Sequence, residues 1–242
     1  MRIVFSRKGF DSASGGCPSP IIDGRPISLP IPTKRRSETT YDHLGVGDIV
    51  ERVTRGRITG AHLCHEDPMF AEGRCAFGQT GAAQSHLSKH GVGAGDVFVF
   101  FGLFSEEGTG VRHHRVFGFL KIEEVTALGS LPSADKMAGF PRRHPHTIGE
   151  WNGNNTVYLG EGSRCQAASP ELRLTKAGEP VSLWQVPPWL RGAGLTYHGN
   201  PERWVGKDSL KVVGRGQEFV TEVESQPSAL EWLDHIITKI KE

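Results

Sequence analysis

An α+β fold is what this chain predicts: a single domain spanning 1–242, with a mixed or antiparallel sheet and a helix packed on it near the C-terminus. Three observations carry that expectation. The run VFVFFGLF at 97–104 is too apolar for an edge strand and reads as a buried one, and VFGFLKIEEV at 116–125 returns beside it across a polar tip at 105–115. At the C-terminal end, Leu230, Leu233, Ile236, Ile237 and Ile240 fall on one face of a helix. Elsewhere, 31 glycines and 15 prolines in 242 residues call for many turns and few long helices.

The hairpin expectation is specific. Phe98 and Phe100 should face one side, Val97, Val99 and Phe101 the other, with both sides covered because neither set is polar. Residues 2–6 read as a strand and 7–40, with prolines at 18, 20, 26, 30 and 32, as loop. Leu44, Ile49, Val50 and Val53 suggest a short helix over 41–54, whereas 62–81 shows no period and reads as loop. A helix over 80–91 would be capped by Thr80 and ended by Gly91. Short strands are expected at 156–160, 181–186 and 211–214. Ser228 and Glu231 form a capping-box pattern opening the last helix, and Trp232 flanks its apolar seam.

The formal net charge of +1 gives no global electrostatic footprint for nucleic acid. Basic residues cluster only locally, at 34–36, 52–57, 112–115 and 142–144. Four cysteines without a Cys-x-x-Cys pair, and no apolar leader, fit a soluble, cytoplasmic protein with unpaired thiols. The longest apolar run falls far short of the ~20 residues of a membrane helix, so no membrane association is expected.

Several stretches carry chemistry. HLCHEDP holds His62, Cys64, His65, Glu66 and Asp67, but no recognised zinc spacing; no bound metal is expected. A His65–Asp67 pair would instead form an acid/base unit, the carboxylate fixing the imidazole tautomer. GQTGAAQSHL sets Gly78 and Gly81 where a helix begins, without a Walker lysine, and Gln79 and Gln84 add amides suited to base edges. RRHPHTIGEWNGNN at 142–155 joins two arginines, two histidines and Trp151, a mixture suited to phosphate contact and base stacking. His198 and Glu218 each stand among apolar residues. No motif names a cofactor.

Taken together, SRKGFDSASGGCPSPI, HEDP, FGQTGAAQSHL, GVGAGDVFVFFGLF, HRVFGFL, LTYHG and GQEFV resemble the nucleotide modification associated domain 3 family. The resemblance runs over nearly the whole chain. It implies a bacterial or phage protein tied to DNA base modification, with an α+β fold and no settled catalytic set to carry over. The strand pair at 97–125 also looks like that of PUA-like barrels such as the ASCH and EVE domains, which implies a barrel-like sheet and binding of modified bases. On this footing the N-terminal loop lines a nucleotide pocket. Arg7 or Lys8 meets a phosphate, the Gly15–Gly16 backbone approaches it, and Asp11 orients a sugar hydroxyl or acts as a base.

Two functions follow. One is an enzyme modifying a nucleotide or a DNA base, with Asp11, His65, Asp67 and His198 as acid/base groups. The other is a non-catalytic reader of modified bases that uses Gln79, Gln84 and Trp151. For the enzyme, Arg7, Asp11, His65, Asp67 and Gln79 should converge in one cleft.

Overall fold

The computed structural model describes residues 1–132, 139–214, 216, 218–223 and 226–242. β1 (Arg2–Arg7) opens the chain, and the proline-rich stretch after it contains β2 (Ser19–Ile22), β3 (Arg25–Pro26) and β4 (Ile31–Pro32). Then come α1 (Gly47–Thr54), β5 (Cys64–His65), β6 (Met69–Ala71), β7 (Arg74–Gln79) and α2 (Gly81–Lys89). The long strands β8 (Val97–Glu106), β9 (Arg112–Ala127) and β10 (Thr156–Arg164) form the middle of the molecule. The last third holds β11 (Leu183–Gln185), α3 (Pro188–Ala193), β12 (Trp204–Val205), β13 (Ser209–Lys211), β14 (Glu218–Glu222) and α4 (Pro227–Lys241).

The main sheet runs β14-β1-β8-β9-β10-β7-β6, with β2 and β3 attached beside β8. It is mixed: β1 pairs parallel with β8 and antiparallel with β14. It is also open, which corrects the barrel-like expectation. Closure needs a backbone ladder between the end strands, and among the described residues β14 pairs only with β1 and β6 only with β7. The sheet curls enough for Gln79 of β7 to reach Glu218 of β14 at 2.8 Å, so side chains and not backbone span that gap.

β8 and β9 pair antiparallel from Val97↔Lys121 to Ser105↔Arg112. Strand pairing continues further than the sequence suggested and the tip shrinks to 107–111. Phe98 and Phe100 share one face with Phe77, while Phe101 meets Trp184 and Phe219 on the other. All of these rings are buried, as the absence of polar residues on either face requires. Gly102 is needed here, because a Cβ would stand 2.7 Å from the Lys8 carbonyl oxygen. The missing side chain lets the segment after β1 lie against β8, with the Lys8 N–H on the Phe101 carbonyl at 2.8 Å.

α4 buries Ala229, Leu233, Ile236, Ile237 and Ile240. Its four large aliphatics contribute roughly 6–12 kcal/mol before chain entropy is counted. Leu230, expected on this seam, is 41% exposed, whereas the other four expected residues are buried. The capping box is not formed either: the helix starts at Pro227, so Ser228 lies inside the first turn and no side chain caps the end. Trp232 packs on Phe5 and Trp189.

Two stretches read as loop hold strands. β5, β6 and β7 lie within 62–81, and β2, β3 and β4 within 7–40. The short ones offer too few residues for a period, and β7 is buried from Cys75 to Gln79, which removes the alternation. α1 is shorter than 41–54, because 41–46 turns back on the Tyr41 carbonyl before the helix begins. Thr80 precedes α2, yet Asn154 Oδ1, and not the threonine hydroxyl, accepts from the Gly81 N–H.

Candidate functional site

Asp67 organises the site. It follows β5 by two residues and is almost wholly buried, with 5% of its side chain exposed. Oδ1 accepts from the Gly78 N–H at 3.0 Å and lies 3.4 Å from His144 Nε2. Oδ2 points elsewhere, 3.6 Å from His65 Nε2 and 3.5 Å from His146 Nε2. Burial alone would raise this carboxyl, but the surrounding imidazoles of His144, His65 and His146 outweigh it and hold the group well below the usual carboxylate range. The expected His65–Asp67 pair therefore exists, although at a separation beyond a good hydrogen bond.

His146 comes from a single 3-10 turn, Pro145–Thr147. Its tautomer is fixed by Asn155, whose Nδ2 donates to the His146 carbonyl at 3.0 Å, so that Asn155 Oδ1 must be the acceptor for His146 Nδ1 at 2.6 Å. Burial pushes this imidazole down to about 3, against the pull of Asp67. The neutral ring thus carries its proton on Nδ1 and turns the Nε2 lone pair toward Asp67. His144 takes the opposite tautomer: its Nδ1 accepts from the His146 N–H at 3.2 Å, while its Nε2 stands 3.4 Å from Asp67 Oδ1 without a hydrogen-bond partner among the described residues. Gly78 makes room for this arrangement, since a Cβ there would sit 2.3 Å from the His146 ring. Trp151 stacks on His146 at 4.1 Å and 14°, and the Arg36 guanidinium lies 4.2 Å over the same indole.

His65, Asp67 and His146 open into a cavity of about 370 Å³, and Arg7, Lys8, Asp11, Gln79 and Trp151 also line it. The five residues expected to converge, Arg7, Asp11, His65, Asp67 and Gln79, share this one cavity. Their bonding is more varied than their assigned roles. Arg7 donates to the Gly214 and Val213 carbonyls, both at 3.1 Å, and its Nε is buried with no hydrogen-bond partner among the described residues. Lys8 Nζ and Gln79 Nε2 both reach Glu218 Oε1 at 2.8 Å. Asp11 Oδ1 accepts from the Ala13 and Ser14 N–H groups and so closes its own loop. A larger cavity of about 710 Å³ shares Lys8, Gly9 and Asp67 with the first and has Arg25, Arg52 and Arg164 in its lining.

Four candidates lie outside the 370 Å³ cavity. Gly15 and Gly16 serve packing: a Cβ would meet the Phe10 ring at 2.4 Å and Arg57 at 2.9 Å respectively. Gln84 is buried between the Tyr158 hydroxyl and Ser88 Oγ. His198 contacts the Thr196 carbonyl and the Val213 N–H through its two ring nitrogens, the bonding of a structural histidine. The set assigned to a base reader, Gln79, Gln84 and Trp151, is thereby separated. Sequence reasoning passed over His144, His146 and Asn155 as individuals, though all three lie in RRHPHTIGEWNGNN. Of the other HLCHEDP residues, Glu66 is held bidentate by Arg142 at 2.7 and 2.6 Å, and Cys64 is buried. The four cysteines are free thiols.

The chain is an α+β protein whose mixed, curled sheet carries against it a polar cavity lined by His65 and His146. The chain belongs to the nucleotide modification associated domain 3 family, whose model matches residues 2–222. No curated protein and no solved structure gives a significant match. Among the described residues, no helix is long and apolar enough to cross a membrane.

Proposed function

We propose that this protein is an enzyme that modifies a nucleotide or a base within DNA, and that the 370 Å³ cavity is its active site. The observation that carries this reading is the presence of Arg7 and Lys8 in the same cavity as the His65–Asp67–His146 group. Cationic groups suit a phosphate, and a histidine–carboxylate group suits chemistry on what the phosphate carries. The cavity volume falls within the range of small-molecule sites. The adjoining larger cavity, with its arginines, gives room for a neighbouring nucleotide or a polyphosphate. Family membership points the same way, toward nucleotide modification.

Incubation with a panel of nucleotides and of plain and modified DNA, read by mass spectrometry, tests the proposal. A mass change in one class of substrate is expected. His65→Ala should abolish it while binding survives, and Lys8→Ala should weaken binding. A product formed equally well by His65→Ala would refute the assignment of this cavity.

A further inference from the structure

We infer that His65 Nε2, Asp67 Oδ2 and His146 Nε2 form a binding site for one divalent transition-metal cation, open to the cavity on its remaining side. One ligand atom from each of the three residues lies within 4.8 Å of the other two. Neighbouring ligands of a tetrahedral cation with bonds of ~2.0–2.1 Å stand ~3.3–3.4 Å apart. The two edges from Asp67, at 3.5 and 3.6 Å, are close to that spacing and too long for direct hydrogen bonds.

The hydrogen-bond pattern says more than the distances. Asn155 Oδ1 accepts from His146 Nδ1, which leaves Nε2 as the ring nitrogen that faces the Asp67 carboxylate oxygen at 3.5 Å. A ring nitrogen and a carboxylate oxygen too far apart for a good hydrogen bond are spaced to share a cation. A histidine that donates its far N–H to a fixed acceptor is the usual arrangement around a protein-bound metal. Asp67 is divided accordingly: Oδ1 is held by the Gly78 N–H, and Oδ2 is left for the cation. His144 is excluded as a ligand because its tautomer presents a proton, not a lone pair. Three protein ligands beside a cavity match a site that keeps a position for water or substrate, and two histidines with one carboxylate suit zinc or iron(II). The ligands are His65, Asp67 and a residue from a distant turn, which is why no spacing motif announces them.

Placing a substrate next to this metal rests on the function proposed above; the metal site itself does not, and it is measured without nucleotide. The full chain, freed of metal by a chelator, is titrated with Co²⁺ alone. Visible absorption reports coordination, and bound metal is counted after desalting. One equivalent is expected. His65→Ala and His146→Ala should each weaken binding at least ~10-fold, and Asn155→Ala by ~10–100-fold. His235→Ala, on the exposed side of α4, should bind as wild type does. Should His146→Ala fail to fold, His65→Ala decides, its side chain being 17% exposed at the cavity. Added Zn²⁺ should raise the melting temperature of wild type and not of His65→Ala. No bound Co²⁺ at millimolar concentration, or binding that survives His65→Ala unchanged, overturns the inference. Metal binding without any nucleotide product would instead overturn only the proposed function.

Discussion

His114 and His146 are both buried, and burial pushes both imidazoles down to about 3, yet their surroundings are opposite in kind. His114 Nδ1 accepts from Trp184 Nε1 at 2.9 Å, and its ring lies edge-on to Phe101 and Trp184. Its lone pair is used inside the core. His146 spends its proton on Asn155 and turns its lone pair to Asp67 at the cavity. A depressed pKa therefore marks neither one as functional. What separates them is whether the lone pair is already satisfied, and by what.

The largest effect should come from Asp67→Ala. It orphans the buried Gly78 N–H, at about 1–3 kcal/mol, and takes away the carboxylate that three imidazoles face, so a loss of at least that size is expected by urea denaturation. A loss no larger than that of an exposed substitution would mean that water replaces the carboxylate and that the site is not built around it. Trp184→Phe makes the parallel cut at the other histidine. It leaves His114 Nδ1 without its donor and should cost about 1–3 kcal/mol, with the 370 Å³ cavity and its metal titration unaffected.

Acid sharpens the comparison further. The unfolded chain protonates His114 near the ordinary value of 6.5, whereas the folded chain does so only near 3. Between these values the unfolded state binds more protons. The contribution is therefore complete above 6.5 and is lost as pH falls toward 3, at up to ~1.4 kcal/mol per pH unit. His114→Gln, which keeps an acceptor for Trp184, should flatten that slope in denaturation curves taken from pH 7 to 4. The smallest effect belongs to His235→Ala on the exposed side of α4, expected within ~0.5 kcal/mol of wild type. A larger change would show that the number of histidines, and not their setting, controls acid stability.

Much of the frame is legible in the residues because apolar burial writes long, continuous signals. VFVFFGLF and VFGFLKIEEV pair as their composition demands, and α4 follows from its 3.6-residue period. Leu230 was misplaced because a helical period defines a stripe but not which edge of it meets the sheet. The site divides in the same way. His65 and Asp67 are two residues apart and were readable as a unit, and the cavity that gathers Arg7, Asp11 and Gln79 around them follows from loops meeting beside the sheet. His146 was not readable, since its partnership with Asp67 depends on a tight turn whose position only the folded chain supplies. Nor does anything in the letters near Lys8 foretell that Glu218 will occupy its ammonium group.

β1 sits between β8 and β14, and Val4 is registered on Val220. This has a consequence for how the molecule comes into being. During synthesis β1 cannot find its outer neighbour β14 until the chain through Glu222 has emerged from the ribosome. Closing so long a loop is a slow, entropically opposed event, and topologies dominated by distant pairings fold slowly. Until then, one edge of β1, which carries the apolar run Ile3–Phe5, stays open. Arg7 then joins the Val213 and Gly214 carbonyls at the same late moment, so completion of the sheet and of one wall of the cavity is a single step in synthesis.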